Sequence, residues 1–81
     1  VRLTIYSKPG CHLCDEMKAI VRSAIAGSPD ISLDEIDISA DRDLTERYGL
    51  EIPVLMVDGK KVAKYRVSPA DVRKMIERRQ L

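Results

Sequence analysis

Tyr6-Ser7-Lys8-Pro9-Gly10-Cys11-His12-Leu13-Cys14 is the stretch whose surroundings settle how this chain folds. Before it, Val1, Leu3 and Ile5 fall on one side of an alternating run over residues 1–6, the pattern of a strand. Within it, Ser7-Lys8-Pro9-Gly10 is a turn cluster. After it, Leu13, Met17, Ile20, Val21 and Ala24 recur at helical spacing and mark the apolar face of a helix from about Cys11 to Ala26. Gly27-Ser28-Pro29-Asp30 ends that helix. The two cysteines therefore open a helix directly behind a strand. A cysteine in that place faces unpaired backbone N–H groups and the positive end of the helix dipole, both of which favour thiolate over thiol. Three residues is nearly one helical turn, so Cys14 lies behind Cys11 within disulfide reach. Cys11 is then the attacking thiolate and Cys14 the resolving thiol that closes the ring. Lys8 brings positive charge to the loop, while Asp15 and Glu16 help to keep the proton on Cys14.

Working outward, Ile31, Leu33, Ile36 and Ile38 alternate but slip phase near Asp34-Glu35, which predicts a strand over 31–38 with a bulge. Ser39 is the predicted N-cap of a short second helix, with Asp41 and Asp43 in its first turn, Leu44 and Tyr48 inward and Gly49 at C′. Pro53-Val54-Leu55-Met56-Val57 reads as a buried strand, and Asp58-Gly59 is the strongest hairpin signal in the chain. The returning strand, Lys60 to Val67, belongs at an edge because Lys60, Lys61, Lys64 and Arg66 crowd it. Ser68-Pro69-Ala70-Asp71 opens the last helix with an N-cap serine, a proline at N1 and an acid at N3. Val72, Met75, Ile76 and the aliphatic stem of Arg79 form its expected inner face. The order is β-α-β-α-β-β-α. The first βαβ unit is expected to be parallel with a right-handed crossover, and the hairpin supplies antiparallel pairing.

Eighty-one residues leave room for one domain, over 1–81, and no linker or repeat divides it. Hydrophobic residues make up 44% and charged residues 33%, which excludes a disordered tail. The longest apolar run, Val54 to Val57, is far short of the roughly 18 residues of a membrane-spanning helix. With no Trp and no Phe, the core must be aliphatic. A net charge of +1 argues against general nucleic-acid binding. That balance conceals a polarity: residues 1–27 carry +2, residues 28–59 carry −7 and residues 60–81 carry +6. Either different faces are solvated by different signs, or the surface is dipolar and orients an encounter with a charged protein partner.

Two cysteines three apart do not make a secreted disulfide scaffold. A reducing, cytoplasmic setting is expected, although a start at Val1 rather than Met leaves the prior removal of a leader open. Zinc would need four ligands, and His12 is the sole histidine. A c-type haem site would need His where Asp15 stands. A soft-metal chaperone with an exposed CxxC has a different element order, and an accidental spacing of two packed cysteines fits poorly with their strand–turn–helix placement. No metal site is therefore expected. His12 is either a solvated loop residue or, when protonated, a stabiliser of the Cys11 thiolate.

With those residues placed, the chain resembles the glutaredoxin-like proteins of the thioredoxin fold. The resemblance rests on Tyr6 to Cys14 as the active-site loop, Ile52-Pro53 opening the third strand, and the terminal helix after the hairpin. It implies an α/β fold, a single thioredoxin-like (glutaredoxin-type) domain with a four-stranded mixed sheet flanked by three helices. It also implies a thiol–disulfide oxidoreductase acting on protein or mixed disulfides, with Cys11 and Cys14 catalytic and Lys8, His12, Ile52 and Pro53 binding substrate. Family members hold the proline matching Pro53 in the cis form beside the disulfide. The other class of function is a non-catalytic binding module that keeps the fold and carries a soft metal or a thiol partner. The chain departs from glutaredoxins in having His12-Leu13 between the cysteines, Glu51-Ile52 before the proline, and Val67-Ser68 where the family has a glycine pair. Pro69 also removes an amide from the last helix start. Lys8 and Asp71 remain for glutathione, but it is expected to be a poor partner. Protein thiols or disulfides and a reductase or glutathione are the expected partners of a monomer with no tightly bound cofactor, no nucleic acid and no membrane.

Overall fold

A computed structural model describes residues 1–80, with side chains through Arg78. Along the chain run β1 (Arg2–Ser7), α1 (His12–Ile25), β2 (Ser32–Asp37), a 3-10 turn (Ile38–Ala40), α2 (Arg42–Tyr48), β3 (Val54–Val57), β4 (Lys60–Lys64) and α3 (Pro69–Gln80). The strands form one mixed sheet in the order β2-β1-β3-β4. β1 pairs parallel with β2 and antiparallel with β3, and β3 pairs antiparallel with β4. The βαβ unit, the hairpin and the edge position of the lysine-bearing strand all stand as the sequence predicts. At the hairpin both Asp58 (φ 47°) and Gly59 (φ 86°) are left-handed, as a two-residue turn matched to strand twist requires.

The pleat divides the sheet into two faces. Leu3 and Ile5 of β1, opposite Val57 and Leu55 of β3, form a core with Met17 and Val21 of α1, Val72 and Ile76 of α3, and Ile31. Burying a side chain such as Ile5 contributes about 1.5–3 kcal/mol. On the opposite face Tyr6 of β1 stacks on Tyr48 of α2, ring centroids 4.7 Å apart and planes 10° from parallel. So α1 and α3 share one face, and α2 lies on the other.

Four local expectations are corrected. β2 has no bulge: it holds a continuous parallel register from Ser32 to Asp37 against β1. The phase slip arises because Glu35 follows Ile31 and Leu33 on the α1 side and ion-pairs there with Lys18 and Arg22, while Ile36 belongs to the other face. The irregularity in this sheet lies instead between Leu55 and Met56, where the β3–β4 register shifts. Asp41, not Ser39, caps α2, its carboxylate accepting from the Leu44 N–H at 3.1 Å. Ser39 sits inside the 3-10 turn, capped by Asp37. Gly49 is right-handed (φ −55°), so it ends α2 without the left-handed C′ geometry. Finally, β3 begins at Val54 and β4 stops at Lys64, three residues before Val67. The expected packing of the Arg79 stem lies outside the described residues.

The registers bring several loops to one end of the sheet. β1 and β2 run in parallel to Ser7 and Asp37, β3 starts at Val54 opposite Tyr6, and β4 ends at Lys64 opposite Val54. The Lys8–Cys11 loop, the 3-10 turn, the Leu50–Pro53 segment and the chain leaving β4 at Tyr65 therefore gather there.

Candidate functional site

Cys11 is the N-cap of α1, in extended backbone (φ −99°, ψ 110°), and Gly10 before it is left-handed at φ 77°. Its position at the cap follows from the turn cluster that ends β1, since Pro9 has no N–H for a strand ladder and Gly10 stands in the left-handed region, outside helical geometry. The Cys11 sulfur takes the cap acceptor's place: the Cys14 N–H donates to Cys11 Sγ at 3.2 Å. The Asp15 N–H donates to the Cys11 carbonyl at 3.1 Å and starts the helical ladder. Cys11 and Cys14 form a disulfide, their Cα atoms 5.2 Å apart. The two sulfurs are not equivalent. Cys14 is 0% exposed, whereas Cys11 is half-buried and reachable from solvent. A nucleophile that must meet a partner belongs at Cys11, and a thiol that only closes the ring can be hidden.

Ile52 and Pro53 stand at the same end of the sheet, Pro53 buried and Ile52 half-buried, joined by a cis peptide bond as the resemblance implies. Lys8 is exposed and borders a groove of about 470 Å³ with Ile38, Ser39, Thr45, Gly49 and Leu50. His12 is the exposed first residue of α1. Neither Lys8 nor His12 makes a side-chain hydrogen bond or ion pair among the described residues, so the structure brings them near the loop without fixing their direction. Leu13, between the cysteines, lines a separate groove of about 210 Å³ against Tyr65, Arg66 and Val67. Among the described residues, no group of three or more His, Cys, Asp or Glu is placed to hold a metal ion.

The chain matches the model of the Glutaredoxin-like domain (DUF836) over residues 2–77. It belongs to the glutaredoxin-like family. A glutaredoxin-like protein of Dictyostelium discoideum is 26% identical over 72 residues, covering 83% of this chain and 67% of that protein. Among solved structures, a structural-genomics target protein from X. campestris is similar with a TM-score of 0.78 at 28% identity, covering 94% of this chain and 96% of its own. Mitochondrial thioredoxin 3 of Saccharomyces cerevisiae shares the fold, with a TM-score of 0.64 at 21% identity over 95% of this chain and 76% of its own. The fold of this glutaredoxin-like domain is thus thioredoxin-like, and its close cysteine pair gives it redox capacity. No helix among the described residues is long and apolar enough to cross a membrane.

Two features of this family member's site were not anticipated from sequence. The segment before Pro53 is tied to β4 by Glu51, which ion-pairs with Lys61 at 2.9 Å and Lys64 at 3.6 Å. The hydrogen bond from Lys61, with the nearby Lys64 charge, holds the Glu51 carboxyl below the usual glutamate range. Tyr65 is the second, left-handed at φ 68° and 43% exposed. Lys-Glu spacing of ten residues signals nothing until the hairpin register is known, and a tyrosine announces no positive φ.

Proposed function

We propose that this domain is a thiol–disulfide oxidoreductase acting on protein and mixed disulfides. The observation that carries this is the asymmetric pair: an accessible Cys11 capping a helix, bonded to a buried Cys14. In the reduced protein the α1 N-terminus favours the Cys11 thiolate, and Lys8 adds positive charge to the loop. The Cys11 thiolate attacks one sulfur of the substrate disulfide. A Cys11–substrate mixed disulfide forms, and the other substrate sulfur leaves as a thiolate that takes a proton from solvent. Cys14 then loses its proton and attacks the Cys11 sulfur, which forms the intramolecular disulfide and releases the second substrate thiolate. Two electrons pass from the dithiol to the substrate, and an external dithiol or thiol reductant restores Cys11 and Cys14. Ile52 and Pro53 present the docking edge, and no bound cofactor takes part.

A protein reductant fits this chain better than glutathione does. The start of α3 is already occupied: the Ser68 N–H donates to Asp71 Oδ2 at 3.3 Å, and the Asp71 N–H donates to Ser68 Oγ at 3.1 Å. Val67 adds a branched, buried side chain, and Pro69 has no amide to offer. Reduction of insulin disulfides, driven by dithiothreitol, tests the oxidoreductase reading. Activity is expected in the wild type, loss to background in Cys11→Ser, and accumulation of a mixed disulfide on Cys11 in Cys14→Ser. A wild-type protein no faster than dithiothreitol alone would refute the reading in favour of a binding module.

A further inference from the structure

Tyr65 stands where β4 leaves the sheet, and its geometry is costly. A bulky residue at φ 68° is an outlier for which glycine would be the unstrained choice. The Arg66 N–H donates to the Lys64 carbonyl at 2.8 Å, so Tyr65 is the centre of a three-residue γ-turn, and the positive-φ form of that turn is the rare, strained one. What the strain secures is visible in two long-range bonds. The Tyr65 N–H donates to the Pro53 carbonyl at 2.8 Å, and its hydroxyl donates to the Leu50 carbonyl at 3.0 Å. One residue thus grips both ends of the Leu50–Pro53 segment. The Glu51 ion pairs with Lys61 and Lys64 hold the middle of that segment to the same strand. The Lys64 ammonium also lies 5.5 Å from the Tyr65 ring centroid. Tyr65 also lines the groove that Leu13, from between the cysteines, borders. The Leu50 side chain is 94% exposed, so no packing of its own fixes the segment's first residue.

We propose that Tyr65 is a positioning residue that holds the Leu50–Pro53 segment in place for extended peptide substrates, so that the domain favours disulfides carried on a polypeptide over small disulfides. The proposal rests on the oxidoreductase reading above. A peptide that docks along Ile52 needs its backbone fixed, whereas a small disulfide needs only the Cys11 sulfur. Freeing the Leu50 carbonyl therefore weakens the docking of one substrate class and not the chemistry of either.

The test compares wild type, Tyr65→Phe and Tyr65→Gly on insulin and on 2-hydroxyethyl disulfide, with urea unfolding to show that each variant is folded. Tyr65→Phe keeps the ring and the N–H bond to Pro53 and removes one hydrogen bond. Its KM for insulin is expected to rise about two- to tenfold with kcat unchanged, in line with the net worth of one such bond. Its kinetics on 2-hydroxyethyl disulfide are expected to match wild type. Tyr65→Gly relieves the left-handed backbone but also loses the ring, so its KM for insulin should rise further than that of Tyr65→Phe. Wild-type activity with an unchanged insulin KM in both folded variants would overturn the positioning role alone. An equal loss on both substrates would overturn it too, marking Tyr65 as structural. A wild type inactive on both disulfides would overturn the oxidoreductase reading and this proposal together.

Discussion

Two helices of this domain begin within reach of solvent, and they use their free amides in opposite ways. α1 is capped by a sulfur, a weak acceptor that takes one hydrogen bond from the Cys14 N–H. α3 is capped by a reciprocal pair, Ser68 Oγ on the Asp71 amide and Asp71 carboxylate on the Ser68 amide. The second arrangement satisfies two donors and places a negative charge at the positive end of the helix. The first leaves the field of the helix to act on a group that, in the proposed reaction, changes charge. On the proposed oxidoreductase reading, the same backbone electrostatics serves reactivity at Cys11 and stability at Ser68. What distinguishes them is the capping atom: a sulfur joined to Cys14 in one, a hydroxyl oxygen in the other.

The largest effect expected from this contrast is selectivity of labelling. In the reduced protein, brief iodoacetamide treatment at neutral pH should alkylate Cys11 and spare Cys14, which is hidden behind it. Mass mapping reads the ratio, and preferential modification of Cys14 would break the assignment of α1 as the reactive cap. Next in size is the choice of reductant. Turnover coupled to glutathione and glutathione reductase should be weak beside turnover coupled to thioredoxin reductase. The closed α3 cap leaves Lys8 as the main contact for a tripeptide carboxylate, worth about 0–1 kcal/mol when exposed. Efficient glutathione turnover would show that the Ser68–Asp71 box does not bar that ligand.

A smaller, purely structural effect should follow from Ser68→Ala, which removes the acceptor of the Asp71 amide. Loss of about 0.5–2 kcal/mol in urea unfolding is expected, with insulin reduction unchanged. The smallest effect concerns a third cap. Asp37 closes the 3-10 turn by accepting from both the hydroxyl and the amide of Ser39, and these bonds hold its carboxyl below the usual aspartate range. Its folded pKa is depressed, so its contribution to stability is full above the unfolded value of 3.8 and fades as pH falls through the lower folded value. Acid unfolding of Asp37→Asn should therefore show a shallower loss of stability below that pH than wild type, and identical slopes would remove Asp37 from the account.

How far the sequence alone carries depends on the range of the signal. The α1 periodicity, the Asp58-Gly59 turn, the Ser68-Pro69-Ala70-Asp71 start and the placement of Cys11 and Cys14 are written in residues within one turn of each other, and all stand. The β2 bulge fails because the slip at Asp34-Glu35 reflects no extra residue: Glu35 lies on the α1 side, paired to Lys18 and Arg22. That pairing depends on a crossover of ten or more residues. The cap at Asp41 was missed because a 3-10 turn intervenes, and any of Ser39, Asp41 and Asp43 could have begun a helix. Tyr65 was missed for a stronger reason. Its partners are the carbonyls of Leu50 and Pro53, and a backbone carbonyl carries no side-chain identity for a sequence to display.

The irregular pairing between Leu55 and Met56 bears on a hazard that every open sheet faces, growth by addition of another chain along an unpaired strand. β4 is such a strand, and it meets the hazard with Lys60, Lys61 and Lys64 and with a register shift that breaks the straight row of donors and acceptors. β2 closes the other side with Asp34, Glu35 and Asp37. Like edges of two copies repel each other. Unlike edges would attract, but Asp34 and Glu35 are already taken up by Arg2 and Arg22 of their own chain. Of the three edge acids only Asp37, held by Ser39 and in no ion pair among the described residues, is left to meet the lysines of another copy, so a head-to-tail stack of these sheets has few charge pairs to seed it and concentrated solutions should resist fibre formation.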